Sequence, residues 1–342
     1  MLRNIPSFYN PSLVEDIYMV DYLAREAEAL AWAKQHNIQP SANDRKKIFL
    51  LGIDQQITFC QPNAQLYVGG RNGRGAIEDS DRVCQFIYRN LDVLTKIVST
   101  MDTHFPFQIF FSGFWINDKG EHPPTNTLIT EEDVLKGIWK VNPAMAALVK
   151  GNYLFLQQCA MHYVRQLTDK GKYSLYIWTY HAMLGGIEHA LVPAIHEAIF
   201  FHSVARKSQP VHEIKGGRYL TENYSVFAPE VTTGPGGVSI GQKNTDAIKD
   251  LLEADMVIIA GQAKSHCVAW SINDLLGEIM VQDPSLVNKV YLLEDCTSPV
   301  VIPGVVDFTD QGDAAFERFR AAGMHVVKST TDIKDWPDSP LK

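Results

Sequence analysis

The chain has 342 residues, 46% of them apolar and 20% charged, which suits a folded protein with a large core and excludes a disordered one. Its net charge of -8 argues against non-specific affinity for nucleic acid or an anionic membrane, because both select a basic surface. No apolar run approaches the roughly 18 residues of a membrane span. The opening Met1-Leu2-Arg3-Asn4-Ile5-Pro6 lacks the basic-then-apolar layout of a secretory signal, so a cytoplasmic location is expected.

Residues 1–45 read as a helical extension. Between Leu13 and His36, apolar residues recur at helical spacing (Ile17, Val20, Leu23, Ala27, Leu30). That stripe is expected to pack on the main domain, with a dimerisation arm as the alternative. From residue 46 to 335 the rhythm changes to short apolar runs alternating with longer helical patterns. The runs are Ile48–Ile53, Ile97–Met101, Pro210–Ile214, Met256–Ala260, Val290–Leu293 and His325–Val327. Helices are predicted over Asp79–Leu94, Leu184–Val204, Lys243–Leu252, Val268–Glu278 and Asp313–Ala322. Continuous apolar strands flanked by helices predict an α/β fold, a Rossmann-like three-layer sandwich around a mainly parallel sheet. Residues 116–172, with the loop Glu121-His122-Pro123-Pro124 and a mostly helical stretch, interrupt the rhythm and read as an insertion.

In such sheets the ligand crevice lies beyond the carboxyl ends of the strands. Asp54 follows the first run. Asp102 and His104 follow the second, Lys215 follows the third, and Cys267 lies beyond the fourth, after Gly261. Two acids, a histidine, a lysine and a thiol thus converge on one edge. A carboxylate can take the proton of a thiol, and a lysine cation and a helix N-terminus can stabilise the thiolate. On that basis Cys267 is expected to have a lowered pKa. The other cysteines (Cys60, Cys84, Cys159, Cys296) are widely spaced, with no Cys-x-x-Cys pair, and read as free thiols. Asp102 and His104 could ligate a divalent ion if a third ligand arrives, with His181 and His122 as candidates.

These residues carry a resemblance. Asp54-Gln55-Gln56-Ile57-Thr58-Phe59 resembles the opening Asp-x-Gln-x-x-Phe motif of the isochorismatase-like cysteine hydrolases, nicotinamidases in particular. Asp102-Thr103-His104 resembles their metal-binding Asp-x-His. The stretch from Ile177-Trp178-Thr179-Tyr180-His181 to Gly185-Gly186 is similar to their Trp-Pro-x-His-Cys-x-x-Gly-Thr. Lys215-Gly216 with Tyr224-Ser225-Val226-Phe227, and the turn from Gly261 to Val268, match the remaining motifs. The motifs fall in family order over residues 46–330.

The resemblance implies an Asp54–Lys215–Cys267 triad and an oxyanion site at the backbone N–H groups of Ala263 and Cys267. It implies a zinc-type ion on Asp102, His104 and His181, no nucleotide cofactor, and a cis peptide at Gln262–Ala263. The family segment favours His181 over His122. Phe59, Trp178 and Tyr224 would line the pocket of a small amide, nicotinamide foremost, with a carbamoyl or ureido compound as runner-up. A homo-oligomer is also implied. Family members that cleave vinyl ethers lack the thiol, so Cys267 counts against that activity. The chain departs from the pattern at Thr179 (for proline), Ala182 (for cysteine), Gly186 (for threonine) and Lys264-Ser265-His266 (for Thr-Asp-Tyr). These changes bear on the substrate, and a family member that binds a metabolite without turnover is the alternative from another class.

Overall fold

A computed structural model describes residues 4–342. Its core is a parallel sheet of six strands in the order β6-β5-β4-β1-β2-β3. The strands are β1 (Ile48–Ile53), β2 (Lys96–Asp102), β3 (Val211–Lys215), β4 (Met256–Gly261), β5 (Val290–Leu293) and β6 (His325–Val327). All six are the predicted apolar runs, shifted by at most a residue at each end. β1 and β4 are buried at every position, as strands covered on both faces must be.

Alternate residues of each strand feed two separate cores. Phe49, Leu51, Val257 and Ile259 face one core; Leu50, Met256, Ile258 and Tyr291 face the other. The first core is closed by α3 (Tyr153–Asp169), α5 (Thr245–Leu252), α6 (Ala269–Gln282) and α7 (Thr309–Ala321). The second is closed by α2 (Gly75–Arg89) and α4 (Pro193–Arg206), with α1 (Tyr22–Gln35) outside α4. Helices on both faces make the three-layer sandwich. Chain direction across the sheet reverses between β1 and β4, so a crevice opens between their carboxyl ends.

Two expectations need correction. The first helix is shorter than predicted and turns a different face inward. Ala29 is buried, whereas Ile17, Leu23 and Leu30 stand exposed. Small alanines let α1 lie close to α4, and Arg25 and Tyr18 fasten the segment to Glu197 at 3.4 and 2.7 Å. Second, the helix predicted from Leu184 begins only at Pro193, whose fixed φ suits the first helical position. Residues before it are held as irregular chain by bonds from Ile57 N–H to the Ala190 carbonyl and from Val192 N–H to the Gln55 carbonyl. Residues 116–172 hold the helical stretch that was expected, with short strands beside it. They contain two-residue strands and α3, whose Leu156, Ala160 and Leu167 merge into the first core.

Gly261 closes β4 at φ +116°, and a Cβ there would sit 2.0 Å from the Ile53 carbonyl oxygen. Gly261→Ala should therefore lose about 3 kcal/mol or more, or fail to fold. A denaturant midpoint unchanged from wild type would contradict this packing of β1 on β4.

Candidate active site

Asp54 is the residue after β1 and adopts a positive φ of 45°, uncommon for a non-glycine residue and therefore enforced by its surroundings. Its N–H donates to Thr100 Oγ1 at 2.9 Å, and the Thr100 hydroxyl donates back to Asp54 Oδ1 at 2.5 Å. Lys215 ends β3. Its ammonium lies 2.9 Å from Asp54 Oδ2, 3.0 Å from Asp102 Oδ1 and 3.7 Å from Cys267 Sγ, and donates to the Asn223 carbonyl at 2.9 Å. Cys267 and Asp54 thus share the one ammonium. All three side chains are buried.

This burial decides the protonation pattern. Desolvation alone would push Lys215 down, but Asp102 and Asp54 outweigh it and hold the ammonium well above its ordinary range. Burial pushes the Asp102 carboxyl up, and the charges of His104 and Lys215 more than reverse this. Burial also lowers His104 itself, so at neutral pH Lys215 is the cation that keeps Asp102 ionised. Burial raises Asp54, with Lys215 opposing and Asp102 adding to the rise. Cys267 moves the same way: burial drives the thiol well above its ordinary value, and Lys215 only partly offsets it. The expectation of a lowered thiol pKa is therefore corrected. The sequence revealed the cation but not the two carboxylates and the desolvation that outweigh it. Cys267 therefore rests as a thiol, with Lys215 beside it.

Asp102, His104 and His181 form a second buried cluster, with one potential ligand atom from each within 4.8 Å of the others. His104 Nε2 lies 2.7 Å and His181 Nε2 3.6 Å from Asp102 Oδ2. Each imidazole points its other nitrogen at a carbonyl: His104 Nδ1 at Gly216 (3.3 Å) and His181 Nδ1 at Thr179 (2.8 Å). With each Nδ1 facing a carbonyl, the two Nε2 atoms and the carboxylate are left facing one another, the donor set and outer support of a divalent-ion site. The residues fit a zinc-type ion. His122 is elsewhere, its Nδ1 2.6 Å from the Trp115 carbonyl.

The cluster is framed by residues the sequence left without a role. The Gln56 amide donates to the Asp102 carbonyl at 2.8 Å and accepts from the Asp102 N–H at 2.7 Å, clamping the end of β2. A parallel bridge between His104 and Met183 brings the His181 loop alongside. Gly216, at φ +86°, leaves no room for a side chain: a Cβ would lie 2.6 Å from Asp102 Oδ1 and 2.8 Å from His104 Cε1.

A small pocket joins triad and cluster, lined by Phe59, Trp178, Tyr224, Ala263, His181 and Cys267 among others. The lining includes all three residues expected to bind substrate. The peptide Gln262–Ala263 is cis. Cys267 lies in a π-helical turn, Lys264–Val268, that leads into α6. Glu222 and His266 also line the pocket. Reasoning from the sequence missed Glu222, an acid in a loop without periodicity, and noted His266 only as a departure from the family turn.

No protein-family model matches the chain, and no curated protein matches it. Solved structures do. A nicotinamidase/pyrazinamidase from Acinetobacter baumanii is 18% identical over 84% of this chain and 99% of its own, with a TM-score of 0.49. The yeast nicotinamidase bound to the inhibitor nicotinaldehyde is 17% identical over 82% and 99%, with a TM-score of 0.49. The pyrazinamidase of Pyrococcus horikoshii in complex with zinc is 17% identical over 82% and 99%, with a TM-score of 0.44. The chain is similar to nicotinamidases and pyrazinamidases of known structure.

Proposed function

We propose that the protein is an isochorismatase-like cysteine amidase that hydrolyses a small carboxamide to the acid and ammonia, nicotinamide being the first substrate to test. The observation that carries this reading is the buried Lys215 ammonium, 2.9 Å from Asp54 and 3.7 Å from Cys267, with Cys267 itself lining an aromatic pocket. Asp54 takes the thiol proton as Sγ attacks the carboxamide carbon. The oxyanion is held by the backbone N–H groups of Ala263 and Cys267. The intermediate collapses as Asp54 returns the proton to the leaving nitrogen, releasing ammonia and a thioester. Asp54 then takes a proton from water, which attacks the thioester carbon. Collapse expels the thiolate, Asp54 returns the proton to it, and the carboxylic acid leaves. Lys215 offsets the negative charge at each stage. Release of ammonia from a panel of aromatic and ureido amides tests the reading, and a panel with no turnover by wild type would favour a binding protein.

Asp102, His104 and His181 would hold one divalent ion, zinc by preference. When bound it supplies a Lewis-acid contact for a ring nitrogen. Protein purified without chelator is expected to carry about one ion per chain. His181→Ala should lose it on dialysis while His122→Ala keeps it, read by metal analysis. The reverse pattern would assign the ion to the wrong histidine. The proposal also includes a homo-oligomer in a reducing, cytoplasmic setting; five free, buried cysteines and the exposed Met19 and Leu23 support it. Among the described residues no helix is long and apolar enough to cross a membrane.

A further inference from the structure

Asp79 is a buried acid that neither the triad nor the histidine cluster uses. It sits in the second turn of α2, 3% exposed, and its Oδ2 lies 2.8 Å from the side-chain nitrogen of Gln262, itself 1% exposed. The main chain fixes the direction of that bond. The Ser298 N–H, which can only donate, meets Gln262 Oε1 at 3.3 Å, so the other end of the amide is the NH2 group. A carboxyl oxygen facing an NH2 group accepts, whatever the charge of the acid. Asp79 Oδ1 lies 3.4 Å from Arg82 Nη1, and that nitrogen donates to the Asp295 carbonyl at 2.9 Å. The turn that holds Gln262 is tied along its length. The Gln262 N–H donates to the Ile53 carbonyl at 2.8 Å, and the Gly261 and Lys264 N–H groups donate to the Cys296 and Ser298 carbonyls at 3.0 and 2.8 Å. Ser265 Oγ accepts the Val300 N–H at 3.1 Å. Residues 296–300 thus brace one side of the turn, and the Gln262 side chain carries the connection on to α2. Gln262 also forms the peptide whose N–H, that of Ala263, is assigned to the oxyanion.

We propose that Asp79 is a positioning residue for the hydrolysis, holding the Ala263 N–H on the developing oxyanion through the Gln262 side chain. This rests on the amidase reading of the same pocket. The oxyanion forms only after attack, so a displaced donor weakens the transition state and leaves binding of the intact amide nearly unchanged. A misplacement on the order of 1 Å, caused far from the chemistry, can cost about a hundredfold in rate.

The test measures kcat and KM for ammonia release from an amide that the full-length wild type hydrolyses, in Asp79→Ala, Asp79→Asn, Gln262→Ala and the double variant Asp79→Ala/Gln262→Ala. It also measures binding of the corresponding aldehyde and of the product acid. Cys267 Sγ adds to the aldehyde carbon as Asp54 takes the thiol proton, and the carbonyl oxygen becomes the anion that the Ala263 N–H holds. Asp79→Ala and Gln262→Ala should each lower kcat about a hundredfold, and the double variant should be no worse than either. KM should stay within about threefold of wild type. Aldehyde affinity should fall with kcat while acid affinity holds. Asp79→Asn, which still offers a carbonyl oxygen to Gln262, should keep kcat within about tenfold of wild type. A kcat of Asp79→Ala within about threefold of wild type overturns the proposal. So does a double variant whose loss is the product of the two single losses, because the side chains would then act independently. Equal losses of aldehyde and acid binding overturn it too, since the whole pocket would be disturbed. If Asp79→Ala does not fold, a wild-type kcat in Gln262→Ala overturns it equally. Ammonia from no amide in the wild type would remove the amidase reading itself, and this role of Asp79 with it.

Discussion

Cys267→Ala should reduce ammonia release by several orders of magnitude while leaving the melting temperature nearly unchanged. Replacing the nucleophile of a triad costs on the order of a million-fold in well-studied hydrolases, because the other members have nothing to activate. The stability expectation follows from the site: the thiol is small, and its partners Asp54 and Lys215 retain each other at 2.9 Å. Asp54→Asn should be comparably inactive, since an amide cannot accept the thiol proton. Ammonia release in Cys267→Ala within about tenfold of wild type would end the covalent mechanism. The same thiol should alkylate slowly in the resting enzyme at pH 7. Burial raises its pKa, so the rate should climb only as pH passes above the ordinary thiol range near 8.5. Fast alkylation at pH 6 would show that Lys215 outweighs desolvation.

Lys215→Ala should be both inactive and unstable. It leaves two buried carboxylates, Asp54 and Asp102, without the cation that lies 2.9 and 3.0 Å from them. Removing one partner of a buried ion pair typically costs about 3–5 kcal/mol. The pH dependence has a definite sign. Asp102 in the wild type is held well below its ordinary value, with Lys215 contributing to the fall, so its stabilisation is present above the unfolded pKa and lost as pH falls through the folded one. The deficit of Lys215→Ala in metal-free protein should thus be fully present from neutral pH down to about pH 4, near the unfolded carboxylate value, and shrink as pH falls below it. Urea denaturation across that range measures it. A deficit independent of pH would mean that lost packing, not uncompensated charge, destabilises the variant.

The sheet was legible because its strands are buried on both faces and so read as unbroken apolar runs, Ile48–Ile53 and Met256–Gly261 above all. The site was legible because a parallel sheet delivers the residues after each strand to one edge, which brought Asp54, Asp102, Lys215 and Cys267 together from distant positions. What periodicity cannot encode was lost. The irregular stretch before Pro193 owes its shape to bonds from the segment after β1, a tertiary effect. The inward face of α1 is set by how closely alanine lets two helices approach, not by the most apolar stripe. Thr100 sits in a strand where only its partner reveals its use: it orients Asp54. The direction of the Cys267 shift depends on the balance of burial and two carboxylates against the Lys215 charge, which residue types alone do not fix.

The most direct measurement is mass analysis of the enzyme quenched in acid during turnover of an amide that it hydrolyses. The account predicts an acyl adduct on the peptide containing Cys267, equal in mass to the substrate acid less water and absent from Cys267→Ala. Steady turnover with Cys267 unmodified throughout, and no hydroxamate of the substrate acid formed when hydroxylamine is present, would contradict it.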